Sequence, residues 1–314
     1  AIKLTKTYGL TKSATKRVVV TFDDCFHGRT MGSQQAGGTP SAKNWIVTPD
    51  STFVQVPFPN AFKYEWADES RSDYSDAVCF EHFLAALKDH GVNPDDIAAV
   101  MTETFQGGWF QLMPKGFVKL LREFCTEHDI LLIFDEVQAG FGRTGKLFAH
   151  QNYGVEPDTC SMAKALGSGV PIGAVCARGE AAKTLTPGTH GSTFAGGPLA
   201  CALAATTLDV MINDGVIENS RKMGEYFRDQ MHKVIEKNHP KAVNEIRGLG
   251  LIDGIQLNHP TGQPVVDLCF KDSNVLINNT NGNVLRFVPP LITGKEEIDL
   301  CIKAVDDAMT KLGW

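Results

Sequence analysis

The chain has 314 residues, 43% of them hydrophobic and 21% charged, and a formal net charge of -6, which suits a soluble core large enough to carry a smaller domain beside it. The acidic balance, without clustered Lys and Arg, argues against a nucleic-acid footprint or a polybasic membrane patch. Eight cysteines without a CxxC pair give neither zinc-site nor disulfide spacing, and no apolar run has the length of a membrane span.

In chain order, Ala1 to Tyr8 already reads like the inside of a helix. Three apolar runs rich in β-branched residues follow, Val18 to Asp23, Ile97 to Glu103 and Ile130 to Glu136, each ending in an acid. They predict buried parallel strands. Between them, Asn44 to Arg71 reads as an irregular excursion, and Phe117 to His128 has the three- and four-residue apolar spacing of an amphipathic helix. This alternation implies an α/β sheet with crossover helices, whose chemistry gathers beyond the carboxyl ends of the strands. Downstream come helical runs at Leu199 to Ile212 and Val216 to Asn238, strands at Leu251 to Gln256 and Val284 to Phe287, and a final helix from Glu296 to Leu312. The expected division is a large domain over 1–210 and a small one over 211–314. No internal repeat is evident.

Two residues stand out chemically. Asp135 closes the run ILLIFDE, so its carboxylate emerges at the working end of a strand. Lys164 is the one lysine in CSMAKALGSGVPIGAV, where partial desolvation would help its ammonium lose a proton. On the residues alone, an Asp at a strand end reads more readily as a cap, and the lysine reads equally well as one that snorkels to the surface.

The surrounding motifs add what single residues do not. FDEVQAGFGRTGKLF (Phe134 to Phe148) together with MAKALGSGVPIGAV resembles the class III aminotransferases of fold type I, which use pyridoxal 5'-phosphate. The resemblance continues, in the family's order, through FHGRT (Phe26 to Thr30), HGSTFAGGPLACA (His190 to Ala202), IRGLGLIDGI (Ile246 to Ile255) and LRFVPPL (Leu285 to Leu291). Acetylornithine, 4-aminobutyrate and ornithine aminotransferases are the nearest pattern. The resemblance implies a mostly parallel, seven-stranded type of sheet in the large domain and a smaller C-terminal α/β domain. By it, Lys164 bonds the cofactor aldehyde and Asp135 pairs with the pyridine nitrogen. Phe26 and Val137 sandwich the ring, Gln138 bonds its hydroxyl, and His27 is a further cofactor contact. Thr193 reaches the phosphate of the neighbouring subunit, in a homodimer with shared active sites, and Ser192 is a further cofactor contact. Arg29 and Arg286 receive substrate carboxylates, since a guanidinium grips a carboxylate by two parallel hydrogen bonds. Glu103 pairs with Arg286 when an amino-bearing side chain is bound and releases it for 2-oxoglutarate. Arg143 has a structural part. No metal is implied.

The implied reaction is ping-pong transfer of an amino group from an amino acid to 2-oxoglutarate, in a cytoplasmic enzyme. Two other readings stay open: a racemase or aminomutase on the same scaffold, and a catalytically silent paralogue acting as a binding or assembly subunit. The second is motivated by a departure. The family's phosphate-binding turn, of Ser-Gly-Thr-Glu-Ala-Asn type, is expected just before a helix like Ala1 to Tyr8, so the family's N-terminal part is expected to be missing from this chain. ETFQGGWF (Glu103 to Phe110) also differs from the usual glutamate- and glycine-rich form, and Gly197 stands where Asn is usual.

Overall fold

The computed structural model describes residues 1–61 and 63–314; Phe62, inside the expected irregular excursion, lies outside the described residues. The chain divides into two compact units. The first comprises Ala1–Gly107, Leu112–Gln138 and His150–Ala204, and the second Gly108–Gln111, Ala139–Ala149 and Ala205–Trp314. Two short segments thus group with the C-terminal unit although they fall inside the stretch expected as the large domain. A linear reading has no means of seeing such excursions.

The first unit contains α1 (Ile2–Lys12), β1 (Val18–Phe22), α2 (Met31–Ala36), β2 (Phe53–Val56), α3 (Asp76–Asp89), β3 (Ile97–Glu103), α4 (Lys115–Glu127), β4 (Leu131–Asp135), β5 (Thr159–Met162) and β6 (Ala174–Ala177). Its sheet runs β2-β1-β3-β4-β5-β6, parallel throughout except for β6, which lies antiparallel to β5. Six strands are seen among the described residues, against the seven-stranded type that was expected. Alternate residues serve opposite faces. Val20, Phe22, Val100, Leu132 and Phe134 meet Phe83 of α3 and Phe117 and Leu121 of α4, while Val19, Ala99, Met101, Leu131 and Ile133 meet Leu4 and Tyr8 of α1. Burial on both faces explains the unbroken apolar runs of β3 and β4. Each such large side chain contributes about 1.5–3 kcal/mol on leaving water.

Strand β2 lies within the stretch expected to be irregular. α6 (Val216–Gln230), after α5 (Pro198–Asn213), gives way to a wider π-helical segment over Met231–Glu236 rather than running on as one α-helix. Unit 2 then adds β7 (Val243–Leu249), β8 (Ile252–Leu257), α7 (Gln263–Ser273), β9 (Asn278–Thr280), β10 (Val284–Phe287) and α8 (Lys295–Leu312). Its four strands are antiparallel in the order β7-β8-β10-β9. Apolar residues of α6, α7 and α8, among them Phe227, Val265, Ile298 and Val305, close the core over Ile255, Leu285 and Phe287. Among the described residues, no single helix is long and apolar enough to cross a membrane.

Candidate active site

Strand register assembles the site of the first unit. Glu103 is paired with Asp135 across β3 and β4, and Asp135 with Ser161 across β4 and β5. These three residues form one row at the carboxyl end of the sheet. Lys164 follows Ser161 by three positions, in a short turn beyond β5 where its backbone adopts φ 40°. That left-handed conformation is uncommon outside glycine and costs on the order of 1 kcal/mol or more. Its Nζ donates to Gln138 Oε1 at 3.4 Å, and Gln138 stands three residues beyond Asp135. The chain therefore brings the ammonium and the carboxylate to neighbouring strand ends, with the amide of Gln138 on the ammonium. Gly107 makes room for that amide, since a Cβ there would lie 2.6 Å from Gln138 Oε1.

Lys164 is exposed, not partly desolvated as expected. It stands in a short turn past the end of β5.

Asp135 is nearly buried, 7% exposed. One oxygen accepts from the Val137 N–H at 3.0 Å, and the other lies 2.8 Å from Nδ1 of His27. The imidazole has no exposed surface. It lies against the Asp135 carboxylate and steadies it. Burial opposes the imidazolium, yet the Cys25 sulfur and the Asp135 carboxylate together hold its pKa well above the ordinary value.

Glu103 is also buried and accepts two backbone N–H groups, from Phe26 at 2.8 Å and Gly107 at 3.0 Å. Burial pushes its carboxyl up to about 7, against the opposing pull of His27 and the two donors. Through this bond Glu103 fixes the main chain of Phe26, whose ring is 48% exposed. The guanidinium carbon of Arg29 lies 5.2 Å from the centre of that ring. Val137 is half-buried beside Asp135. Ser192 and Thr193 occupy an exposed turn in which the Ser192 carbonyl accepts from Ala195.

Within the second unit, Arg286 is on β10 with its guanidinium carbon 5.5 Å from the ring centre of Phe110. Arg143 donates to the carbonyls of Leu251 and Pro289, at 2.8 and 2.5 Å, and burial lowers its pKa to about 10. That agrees with a structural part. The bond of Glu103 to Phe26 and the stacking of Phe110 on Arg286 were not read from the sequence, because they join residues of different motifs. His27 carried a signal only through its place in FHGRT.

The first unit fits pyridoxal phosphate in its donor set. A buried carboxylate suits a protonated ring nitrogen, an exposed primary amine suits an aldehyde, a half-exposed aromatic face suits the ring, and Gln138 suits a hydroxyl.

The family model described as "Aminotransferase class-III" matches residues 1–309. The acetylornithine aminotransferase of Caldanaerobacter subterraneus subsp. tengcongensis is 38% identical over 315 residues, covering 99% of this chain and 72% of that protein. The acetylornithine aminotransferase of Methanocaldococcus jannaschii is 40% identical over 299 residues, covering 94% and 67%. Among solved structures, ornithine aminotransferase from Toxoplasma gondii ME49 superposes with a TM-score of 0.84 at 28% identity, covering 99% and 70%. An amine transaminase from an uncultivated Pseudomonas species, in its pyridoxal-phosphate-bound form, reaches 0.88 at 26% identity, covering 99% and 73%. Fold, charged row and sequence agree: the chain belongs to the class III aminotransferases and is a pyridoxal-phosphate-dependent transaminase of fold type I.

Proposed function

We propose that this transaminase moves the amino group of an amino acid of ornithine, acetylornithine or 4-aminobutyrate type to 2-oxoglutarate by a ping-pong mechanism, as a cytoplasmic homodimer with shared active sites. The observation that supports the reading is that Lys164 and Asp135 stand at adjacent strand ends, with Gln138, three residues past Asp135, bonded to Lys164. When bound, pyridoxal phosphate supplies an aldehyde for the amine and a ring that withdraws electrons from the amine-bearing carbon.

The chain's own residues do the rest. Asp135 holds the proton on the ring nitrogen and is itself steadied by His27 and the Val137 N–H. Lys164 would hold the cofactor through its aldehyde and, as an amine on a flexible stem, would move a proton at the substrate carbon. Phe26 and Val137 orient the ring by packing, Gln138 bonds its hydroxyl, and Ser192 and Thr193 donate to the phosphate across the dimer. Arg29 and Arg286 hold substrate carboxylates. Glu103 keeps its two oxygens on the Phe26 and Gly107 N–H groups and so holds the main chain beside the ring.

The reading is tested by a donor screen with 2-oxoglutarate, following glutamate. Glutamate should form with at least one of ornithine, acetylornithine, 4-aminobutyrate and lysine. A flat result across these amines would remove the donor class, and inversion of a donor's stereocentre without glutamate would point to a racemase instead.

A further inference from the structure

Arg286 belongs to a row that crosses the sheet of the second unit. Arg247 on β7, Gly254 on β8, Arg286 on β10 and Asn278 on β9 are register partners in turn. Directly opposed residues place their side chains on one face. The glycine leaves a gap between two arginines, and Phe110 occupies it: a Cβ on Gly254 would stand 3.2 Å from both Cβ and Cδ1 of Phe110.

Both sides of Phe110 are then held. Arg247 donates from Nε to the Phe110 carbonyl at 3.0 Å and from Nη2 to the Trp109 carbonyl. Arg247 is itself fixed by Glu245 and Gln256. On the other side the Arg286 guanidinium lies over the Phe110 ring. Phe110 is fully buried and adopts φ 58°, a conformation that a bulky residue keeps only where its surroundings over-determine it.

We propose that Phe110 is a positioning residue for substrate recognition, its ring face setting the plane in which Arg286 offers paired N–H donors to a carboxylate. The proposal rests on the reading of Arg286 as a carboxylate receptor. An arginine side chain is long and rotamer-rich, and its bidentate grip depends on the orientation of a planar fork. Arg247 and Gly254 act one step back, by seating the phenylalanine. The segment QGGWF is thereby tied to specificity through Phe110, with Trp109 contributing its carbonyl.

The test uses the cofactor-loaded protein with 2-oxoglutarate as acceptor and glutarate as a non-reacting dicarboxylate for calorimetric titration. Arg286→Lys is the reference arm and should raise KM and the glutarate Kd. Phe110→Leu should raise both roughly tenfold, the worth of a largely desolvated cation–π contact, with kcat within about twofold. Phe110→Tyr, which keeps the ring face, should restore values near wild type. Phe110→3,4,5-trifluorophenylalanine keeps the shape while weakening the ring's negative face, so it should behave like the Leu variant even if Leu itself disturbs folding. If Arg286→Lys changes neither constant, the receptor reading falls, and this inference with it. If Arg286→Lys raises them while the fluorinated ring leaves them unchanged, the receptor reading stands and the role of Phe110 is overturned.

Discussion

His27 touches Asp135 at 2.8 Å and its side chain is fully buried, so its replacement acts on the site from within, chiefly through the Asp135 carboxylate. His27→Gln should lower kcat/KM at least tenfold, the usual scale for losing a buried group that orients a functional one, and should speed loss of cofactor on dialysis. Unchanged turnover and retention would contradict this role. Glu103 gives a prediction in pH. Burial raises its pKa from 4.5 to about 7, so the folded state holds this proton more tightly than the unfolded chain does. The associated stability is complete below about 4.5 and is lost as pH climbs through about 7. In urea titrations from pH 5 to 8, wild type should lose on the order of 3 kcal/mol relative to Glu103→Gln. Parallel pH profiles for the two proteins would count against it. At this scale the sequence showed Asp135 and Glu103, because acids that end buried strands are visible as a pattern. It did not show that residue 27 reaches residue 135 or that Glu103 holds the Phe26 N–H, since both depend on how distant strands align.

Among the elements, the buried strands β1, β3 and β4 were legible from their β-branched runs, and α4 from its apolar spacing. β2 was not. It has only four residues with alternate burial, and it sits at the sheet edge in a stretch interrupted by Pro49, Pro57 and Pro59. The break after Gln230 was equally invisible, because Met231 and Ile235 keep the spacing of a continuous helix and are both fully buried. One contact between elements is unusually close. A Cβ on Gly224 of α6 would lie 1.7 Å from the Gly250 carbonyl oxygen, at the turn between β7 and β8. No side-chain rotation relieves a clash with backbone, so Gly224→Ala should destabilise the protein by about 3 kcal/mol or more. Gly191→Ala, where nothing lies within 4 Å, should be close to neutral. Equal denaturation midpoints for the two variants would show that α6 shifts away from this turn freely.

For the whole molecule, composition and charge indicated only what to set aside, and the family motifs indicated the rest. The motifs reached both units, from FHGRT to LRFVPPL. They could not show that Gly108–Gln111 and Ala139–Ala149 group with the C-terminal unit, because such membership depends on three-dimensional contact, not on order along the chain. Everything catalytic in the account rests on Lys164 and Asp135 serving one cofactor. The most direct measurement is borohydride reduction of the cofactor-loaded protein, followed by peptide mapping, in wild type and Asp135→Asn. A single phosphopyridoxyl adduct is expected on the peptide that carries Lys164, with Asp135→Asn retaining the adduct but turning over at least a hundredfold more slowly. An adduct on another lysine, or an Asp135→Asn variant as active as wild type, would contradict it.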